Sequence, residues 1–227
     1  TLDVFNGQLV MTNGATILGV AQVSRDGSVF AVATGTTGFV NEVNMLAGTF
    51  SNRGDMMAFG DVTVSGGQAF MGGATSYATN LNLYGGTAIV ESVGLGQVTF
   101  DGGSLRADAD RVIAADQGIR VTNIANGGVG AVIVDSGVTV AIANAIDGDG
   151  TLAKDGLGTL ILSNANQQTG TSVREGTLLY SADNRLRTDG GGTLAVEGGV
   201  LDLNGFNQDS AGAVRFLGGL VTNGTIT

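Results

Sequence analysis

Carboxylate side chains are the groups in this sequence that could do acid–base chemistry, because the chain contains no His and no Cys. Their absence excludes Ser-His-Asp and Cys-His catalysis, and imidazole or thiolate metal sites, within these 227 residues. Two groups of carboxylates are close in sequence: Asp108 and Asp110 with Arg111, and Asp147 with Asp149. A glycosidase needs two such groups beside a sugar-binding cleft, which normally carries stacking aromatic rings. Since the chain has no Trp and only three Tyr, we interpret both groups as solvated turns and predict no catalytic residue and no cofactor.

Two short motifs could bind a partner without catalysis. The segment Asp147-Gly148-Asp149-Gly150 hints at calcium but lacks the full EF-hand or nonapeptide pattern, so we predict a plain turn and no metal site. Arg53-Gly54-Asp55 is the integrin-type tripeptide and is retained as a candidate binding site. It would act only if a protruding loop displayed it. An Arg and an Asp that flank a turn glycine are the alternative, and we favour that interpretation.

The charge balance narrows the classes of partner. The net charge is −10, from ten basic and twenty acidic residues. Nucleic-acid binding needs clustered Lys and Arg, and anionic membrane surfaces attract the same residues. The composition therefore argues against both nucleic acid and anionic membranes as partners.

The elements that must position these residues are short β-strands. No stretch shows apolar residues at helical spacing without interruption by Gly. Alternating runs such as Leu81-Asn82-Leu83-Tyr84 and Val138-Thr139-Val140 are bounded by Gly, Asn and Asp instead. Alternation over four to six residues between such turn residues is typical of strands joined by tight turns.

Glycines followed by an apolar strand start recur at intervals near 20 residues. This spacing with short strands is typical of a solenoid, in which stacked repeats share one core. A leucine-rich repeat is excluded because its L-x-x-L-x-L pattern is missing, and a β-sandwich is the remaining alternative. We predict an all-β, right-handed parallel β-helix with about 20 residues per coil. The recurring glycines are Gly7, Gly27, Gly48, Gly67, Gly86, Gly103, Gly137, Gly158, Gly176, Gly199 and Gly219.

Residues 150–178 read GTLAKDGLGTLILSNANQQTGTSVREGTL. This segment closely resembles the passenger-associated repeat of bacterial autotransporters, the type V secretion family. Residues 198–208, GGVLDLNGFNQ, are similar to a further coil of the same passengers. The resemblance is specific over about residues 146–227, and over 1–145 it rests on composition and period. It departs from the family at Gln168, where an aromatic residue is common.

The residues of the repeat describe a fold element and contain no reactive group. The side chains of Leu152, Leu160, Leu162 and Leu178 are placed to point inward. Asn164 and Asn166 suit corners, where Asn side chains can stack and hydrogen-bond between coils. We expect Lys154 to project outward and to pair with Asp155 or Glu175.

The resemblance also implies a domain organisation. We expect a β-helix stem over residues 1–129, with an irregular excursion near 104–130, and a C-terminal β-helix region over 130–227. In the family this last region folds first and templates the rest, so 130–227 would be an autochaperone. The alternative is that it is more of the same scaffold.

The function implied is that of a surface-exposed adhesin or self-association scaffold, not an enzyme. Host-cell receptors, extracellular matrix or identical passengers on neighbouring cells would be its partners, with the C-terminal membrane barrel of the same parent chain. The first residue is Thr1 and no signal peptide precedes it, so we expect an excised fragment that is held at the bacterial outer membrane through that barrel. A non-adhesive stalk and folding template is the first alternative, and a polysaccharide-active enzyme is the second.

Overall fold

The structure is a computed structural model, and it describes residues 1–12, 16–73, 76–91, 93–124, 128–187, 192–209 and 212–227. The side chains at 16–18, 56–59 and 93 lie outside this description. The described residues form short strands joined by turns, and those strands pair in parallel. No helix among them has the length and apolar character needed to cross a membrane. The predicted parallel β-helix is therefore confirmed.

The chain forms two compact units. Unit 1 comprises Thr1–Leu105 and Ala115–Gln117, and unit 2 comprises Arg106–Ala114 and Gly118–Thr227. Strands β12 (Ser104–Ala107) and β14 (Ala115–Val121) contain residues of both units. The interval near 104–130 contains strands β12 and β14 in its described part, and the excursion expected there stays a prediction.

Unit 1 contains two ladders, by which we mean series of hydrogen-bonded parallel strands. In the first and second ladders, each strand pairs with the corresponding strand of the next coil. The first ladder consists of β1 (Leu2–Val4), β3 (Thr16–Val23), β5 (Thr37–Met45), β7 (Asp55–Val64), β9 (Ser76–Leu83) and β11 (Val93–Phe100). The second consists of β2 (Gln8–Met11), β4 (Val29–Val32), β6 (Thr49–Asn52), β8 (Gln68–Met71) and β10 (Thr87–Val90).

The pairing register of unit 1 reproduces the spacing of the glycines. Gln8 pairs with Val29, Val29 with Thr49, Thr49 with Gln68, and Gln68 with Thr87, so coils recur about every 20 residues. Alternate residues along each strand are buried, and they stack on the same positions of the next coil. Equivalent core side chains therefore contact each other along the ladder. The rings of Phe30 and Phe50, for example, have centroids 5.2 Å apart.

Unit 2 contains a third and a fourth ladder and two shorter pairings, β14 with β17 (Ile146–Asp147) and β24 (Asn207–Gln208) with β27 (Thr225–Ile226). The third ladder consists of β15 (Val129–Val134), β18 (Thr151–Asp155), β20 (Gly170–Val173), β22 (Thr193–Val196) and β25 (Ala213–Phe216). The fourth consists of β13 (Arg111–Ile113), β16 (Thr139–Ile142), β19 (Thr159–Leu162), β21 (Thr177–Tyr180), β23 (Val200–Asp202) and β26 (Leu220–Thr222).

The core of unit 2 is built from aliphatic columns. Leu160 pairs in register with Leu178, and Leu178 with Leu201, and all three side chains are fully buried. Leu152 and Leu162 are buried as well, so the inward positions predicted for the repeat are confirmed. A single coil cannot bury its own apolar side chains, and the neighbouring coils cover them. This burial is the physical reason that coils stack.

Candidate functional site

The outer face of the first ladder carries two rows of polar side chains, which we call the polar face. Along these strands the alternate residues are aliphatic and buried, so the polar residues between them lie on the outer side of the sheet, where most are half-buried and Asn82 is buried. The pairing register brings polar residues of successive coils into line. One row is Asp3, Gln22, Asn44, Thr63, Asn82 and Thr99, and the other is Asp61, Asn80 and Gln97, with Glu42 on the neighbouring strand β5.

Amide groups on the polar face donate hydrogen bonds to its carboxylates. Asn80 Nδ2 donates to one oxygen of Asp61 at 2.6 Å, and Asn82 Nδ2 donates to the other at 3.2 Å. Asn44 Nδ2 donates to Glu42 Oε1 at 3.1 Å. These bonds hold long polar side chains in fixed positions, so part of the ordering cost of binding is met before a partner arrives.

The polar face is rich in acceptors and negatively charged. The strands of the first ladder contain no Lys and no Arg, whereas Asp3, Glu42 and Asp61 all lie on its outer side. The amide donors of Asn44, Asn80 and Asn82 are directed at the carboxylates of Glu42 and Asp61. A partner must therefore supply hydrogen-bond donors and must not be anionic.

Tyr77 adds a flat aromatic surface beside the polar rows. Its ring lies over Gly94 and Gly96 of the next coil, because a Cβ at Gly94 would come within 2.7 Å of Tyr77 Cδ2, and one at Gly96 within 3.0 Å of its hydroxyl. The hydroxyl donates to Asp116 Oδ2 at 3.2 Å. Desolvation and this carboxylate raise the pKa of Tyr77, so the phenol stays protonated and keeps donating.

The predicted tripeptide Arg53-Gly54-Asp55 lies between β6 and β7. The backbone N–H of Arg53 donates to Val32 O at 3.0 Å, and that of Asp55 donates to Thr36 O at 2.8 Å. Gly54 is buried, and the Arg53 guanidinium stacks over the Phe70 ring at 4.7 Å. The tripeptide is thus tied into the coil stack, and its role in integrin binding stays a prediction.

The carboxylates of the first predicted cluster have structural partners. Asp108 Oδ1 accepts a hydrogen bond from Arg111 Nη2 at 3.0 Å, and Asp110 Oδ1 accepts one from the Thr139 backbone N–H at 2.6 Å. These contacts hold the turn before β13. They account for the two aspartates as turn residues.

The second predicted cluster is engaged in the same way. Asp147 lies 3.2 Å from Arg120 Nε, and Asp149 Oδ1 accepts a hydrogen bond from the Asn123 backbone N–H at 3.0 Å. Within the ranges that the structure describes, no three acidic side chains come close enough together to hold a metal ion.

Lys154 is buried, so the expectation that it projects outward was wrong. Its side chain is 1% exposed, and Nζ donates to three backbone carbonyls: Asp155 at 2.8 Å, Gly156 at 2.6 Å and Glu175 at 3.2 Å. The first two belong to its own turn and the third to the next coil. Burial lowers the pKa of Lys154 to about 8, although the carboxylates of Asp155 and Glu175 oppose this shift.

The lowered pKa of Lys154 predicts a pH dependence of stability. Its ordinary pKa is 10.5, so between about pH 8 and this value the unfolded chain binds more protons than the folded one. The free energy of unfolding should therefore rise with pH across this window, by about 3 kcal/mol when the titration is complete. Urea unfolding of the wild type and of Lys154→Met at several pH values measures this rise. An equal rise in both proteins would contradict the assignment to Lys154.

Two buried amides join the corners of unit 2. Asn166 Oδ1 accepts from the Ile146 N–H at 3.0 Å, and its Nδ2 donates to the carbonyls of Asn164 at 2.9 Å and Arg185 at 3.1 Å. Gln208 Oε1 accepts from the Arg185 N–H at 2.6 Å. Each amide thereby binds backbone of a neighbouring coil, as expected for Asn166 from the sequence.

Sequence reasoning missed the polar face and the Tyr77 surface. The Asn80-Leu81-Asn82 alternation is a signal for an outward polar pair, but it does not reveal which residues of other coils align with it. Alignment depends on irregular register shifts, such as the one between Ala58 and Asp61, that the sequence does not mark.

Comparison with known proteins gives two matches. Residues 152–179 match the family model of the passenger-associated transport repeat, where the sequence predicted such a repeat at 150–178. Over 175 residues the chain is 33% identical to the Adhesin BmaC autotransporter of Brucella suis biovar 1 (strain 1330). That alignment covers 74% of this chain and 4% of the Brucella protein, so the chain spans a small part of its relative's length. No solved structure matches the chain significantly.

Proposed function

Since the chain is a segment of an autotransporter passenger domain, we propose that it acts as an adhesive scaffold on the bacterial surface. The observation that carries the proposal is the polar face, in which rows of Asn, Asp, Gln and Thr are fixed in register over six strands. Each coil repeats the same kind of contact. Weak individual contacts then add up to strong attachment through multivalency.

The partner in this proposal is either a host-cell receptor or matrix component, or a second passenger on a neighbouring cell. The name of the Brucella relative includes the word adhesin, which supports the same kind of role for this chain. The acceptor-rich rows favour partners with exposed N–H or O–H donors. Two copies of the chain can also bind each other, because each Asn or Gln side chain carries both a hydrogen-bond donor and an acceptor.

A variant pair tests the contribution of the polar face. Thr63→Glu adds a carboxylate next to Asn82 and Asp61, whereas Ser51→Glu adds the same charge at a half-buried position on β6 in the second ladder. We expect beads coated with the wild-type chain to bind cells or to clump. Thr63→Glu should reduce this attachment by roughly tenfold, because the new carboxylate repels Asp61 and disturbs the Asn82 hydrogen bonds that fix the face, and the loss at one contact is amplified over many. Ser51→Glu should leave attachment unchanged.

The alternative is a non-adhesive stalk whose C-terminal region templates folding during secretion. The buried amides Asn166 and Gln208 and the buried Lys154 favour it, since they give unit 2 inter-coil bonds that do not depend on the outer faces. Beads that neither bind nor clump would reject the adhesive proposal. The stalk proposal then requires that deletion of residues 130–227 stops secretion of the parent protein.

A further inference from the structure

We propose that the polar face binds a neutral glycan along strand β9, with sugar rings stacked on Tyr77 and Tyr84 and hydroxyl groups bonded to the polar residues between them. This inference rests on the proposed adhesive function and names the chemical class of its partner. It uses residues on the outer side of β9 together with Tyr84, which directly follows that strand.

Strand β9 and the residue after it present aromatic rings at both ends of a polar segment. Leu81 and Leu83 are fully buried, so alternation places Asn80, Asn82 and Tyr84 on the opposite side of the strand, where Asn80 is half-buried and Asn82 is buried beneath its neighbours. Tyr84 is 37% exposed. The seven residue steps from Tyr77 to Tyr84 span roughly 23 Å at the rise of a strand, which is the length of a short oligosaccharide.

The orientation of the Tyr77 ring suits stacking. The ring rests on the backbone at Gly94 and Gly96, where any side chain would displace it, and Asp116 holds its hydroxyl. The ring is therefore held in place along one edge, and because Tyr77 is only half-buried, part of it remains accessible to a ligand. A rigid aromatic surface contributes contact area at little entropic cost.

The hydrogen-bonding groups between the two tyrosines match sugar hydroxyls. Asn80 and the buried Asn82 donate to Asp61, which leaves the carbonyl oxygen of Asn80 and the Asp61 lone pairs as acceptors. Sugar hydroxyls donate to such acceptors. The carboxylates of Asp61, Glu42 and Asp116, with no Lys or Arg on the strands of the first ladder, oppose uronic acids and sulfated sugars.

An array of neutral tetrasaccharides, together with hyaluronan and heparin, tests the proposal on the 227-residue chain. We expect binding to at least one neutral glycan and none to the two acidic polymers. Tyr77→Ala should weaken that binding about tenfold, while Tyr77→Phe, which keeps the ring, should stay within about threefold. Phe5→Ala removes another exposed aromatic ring of unit 1 and should have no effect.

Binding to no neutral glycan, preference for hyaluronan or heparin, or unchanged affinity in Tyr77→Ala would overturn the proposal. Binding of polylysine in place of glycans would overturn it too, since it would indicate a basic protein partner. The bead assay separates this failure from failure of the adhesive function. If Tyr77→Ala beads still bind cells or clump like the wild type, adhesion stands and the glycan inference fails.

Discussion

Replacement of Gly176 by Ala is expected to lower the free energy of unfolding by about 4 kcal/mol. Gly176 has φ of +60°, and a Cβ there would lie 2.4 Å from the carbonyl oxygens of both Gly156 and Gly158. The left-handed conformation costs an Ala side chain about 1–2 kcal/mol. Forcing two backbone carbonyls of the preceding coil away adds roughly 2–3 kcal/mol, because backbone cannot move aside as a flexible side chain can.

Gly137 provides the matched control. Its φ is +79°, yet a Cβ there would have no heavy atom within 4 Å. Gly137→Ala should therefore cost only the conformational part, about 1 kcal/mol. Urea unfolding of both variants, followed by circular dichroism, separates the two contributions. Equal losses would show that the close approach of coils at Gly176 does not limit the residue type there.

Asn166→Ala is expected to destabilise the protein by about 3 kcal/mol. The Asn166 side chain is 2% exposed and makes three hydrogen bonds to backbone groups. Its removal leaves the buried Ile146 N–H without an acceptor, which costs about 1–3 kcal/mol, and it takes a donor from the Asn164 carbonyl, whereas the Arg185 carbonyl keeps the backbone N–H of residue 166. Urea unfolding measures the loss, and faster hydrogen exchange at the Ile146 amide locates it.

Two further variants at this corner check the physical reason. Asn164→Ala removes an exposed amide that bonds Ala143 O at 3.3 Å, so its cost should stay below about 1 kcal/mol. Asn166→Asp keeps the acceptor for Ile146 but directs a carboxylate at two carbonyl oxygens, so it should not restore stability. A stable Asn166→Ala protein would mean that the corner bonds contribute little to unit 2.

The regular part of the fold could be predicted because it follows from single-coil patterns. The inward direction of residues such as Leu160 and Leu178 follows directly from strand alternation. Glycines such as Gly158 and Gly176 mark turns between strands in their coils. These signals recur, so the period of about 20 residues emerges even though single intervals vary.

The parts that could not be predicted depend on neighbouring coils. Leu152, Ala153 and Lys154 are consecutive and all buried, which breaks the alternation from which an outward Lys154 was expected. The burial arises because the turn carbonyls of two coils surround the ammonium group, and sequence patterns do not show such packing. The start of the fourth ladder could not be predicted either. Its first pairing joins Arg111 to Val140, which are 29 positions apart and so depart from the period of about 20 residues.

Lys154 also provides a natural probe of local unfolding in this chain. It is the single lysine of the sequence, and its amino group is enclosed by the turns of two coils. A lysine-specific protease has one target bond in the whole polypeptide, and that bond becomes accessible only when this coil separates from the next. The rate of this one cut thus reads out how often the passenger repeat opens, without any engineered label.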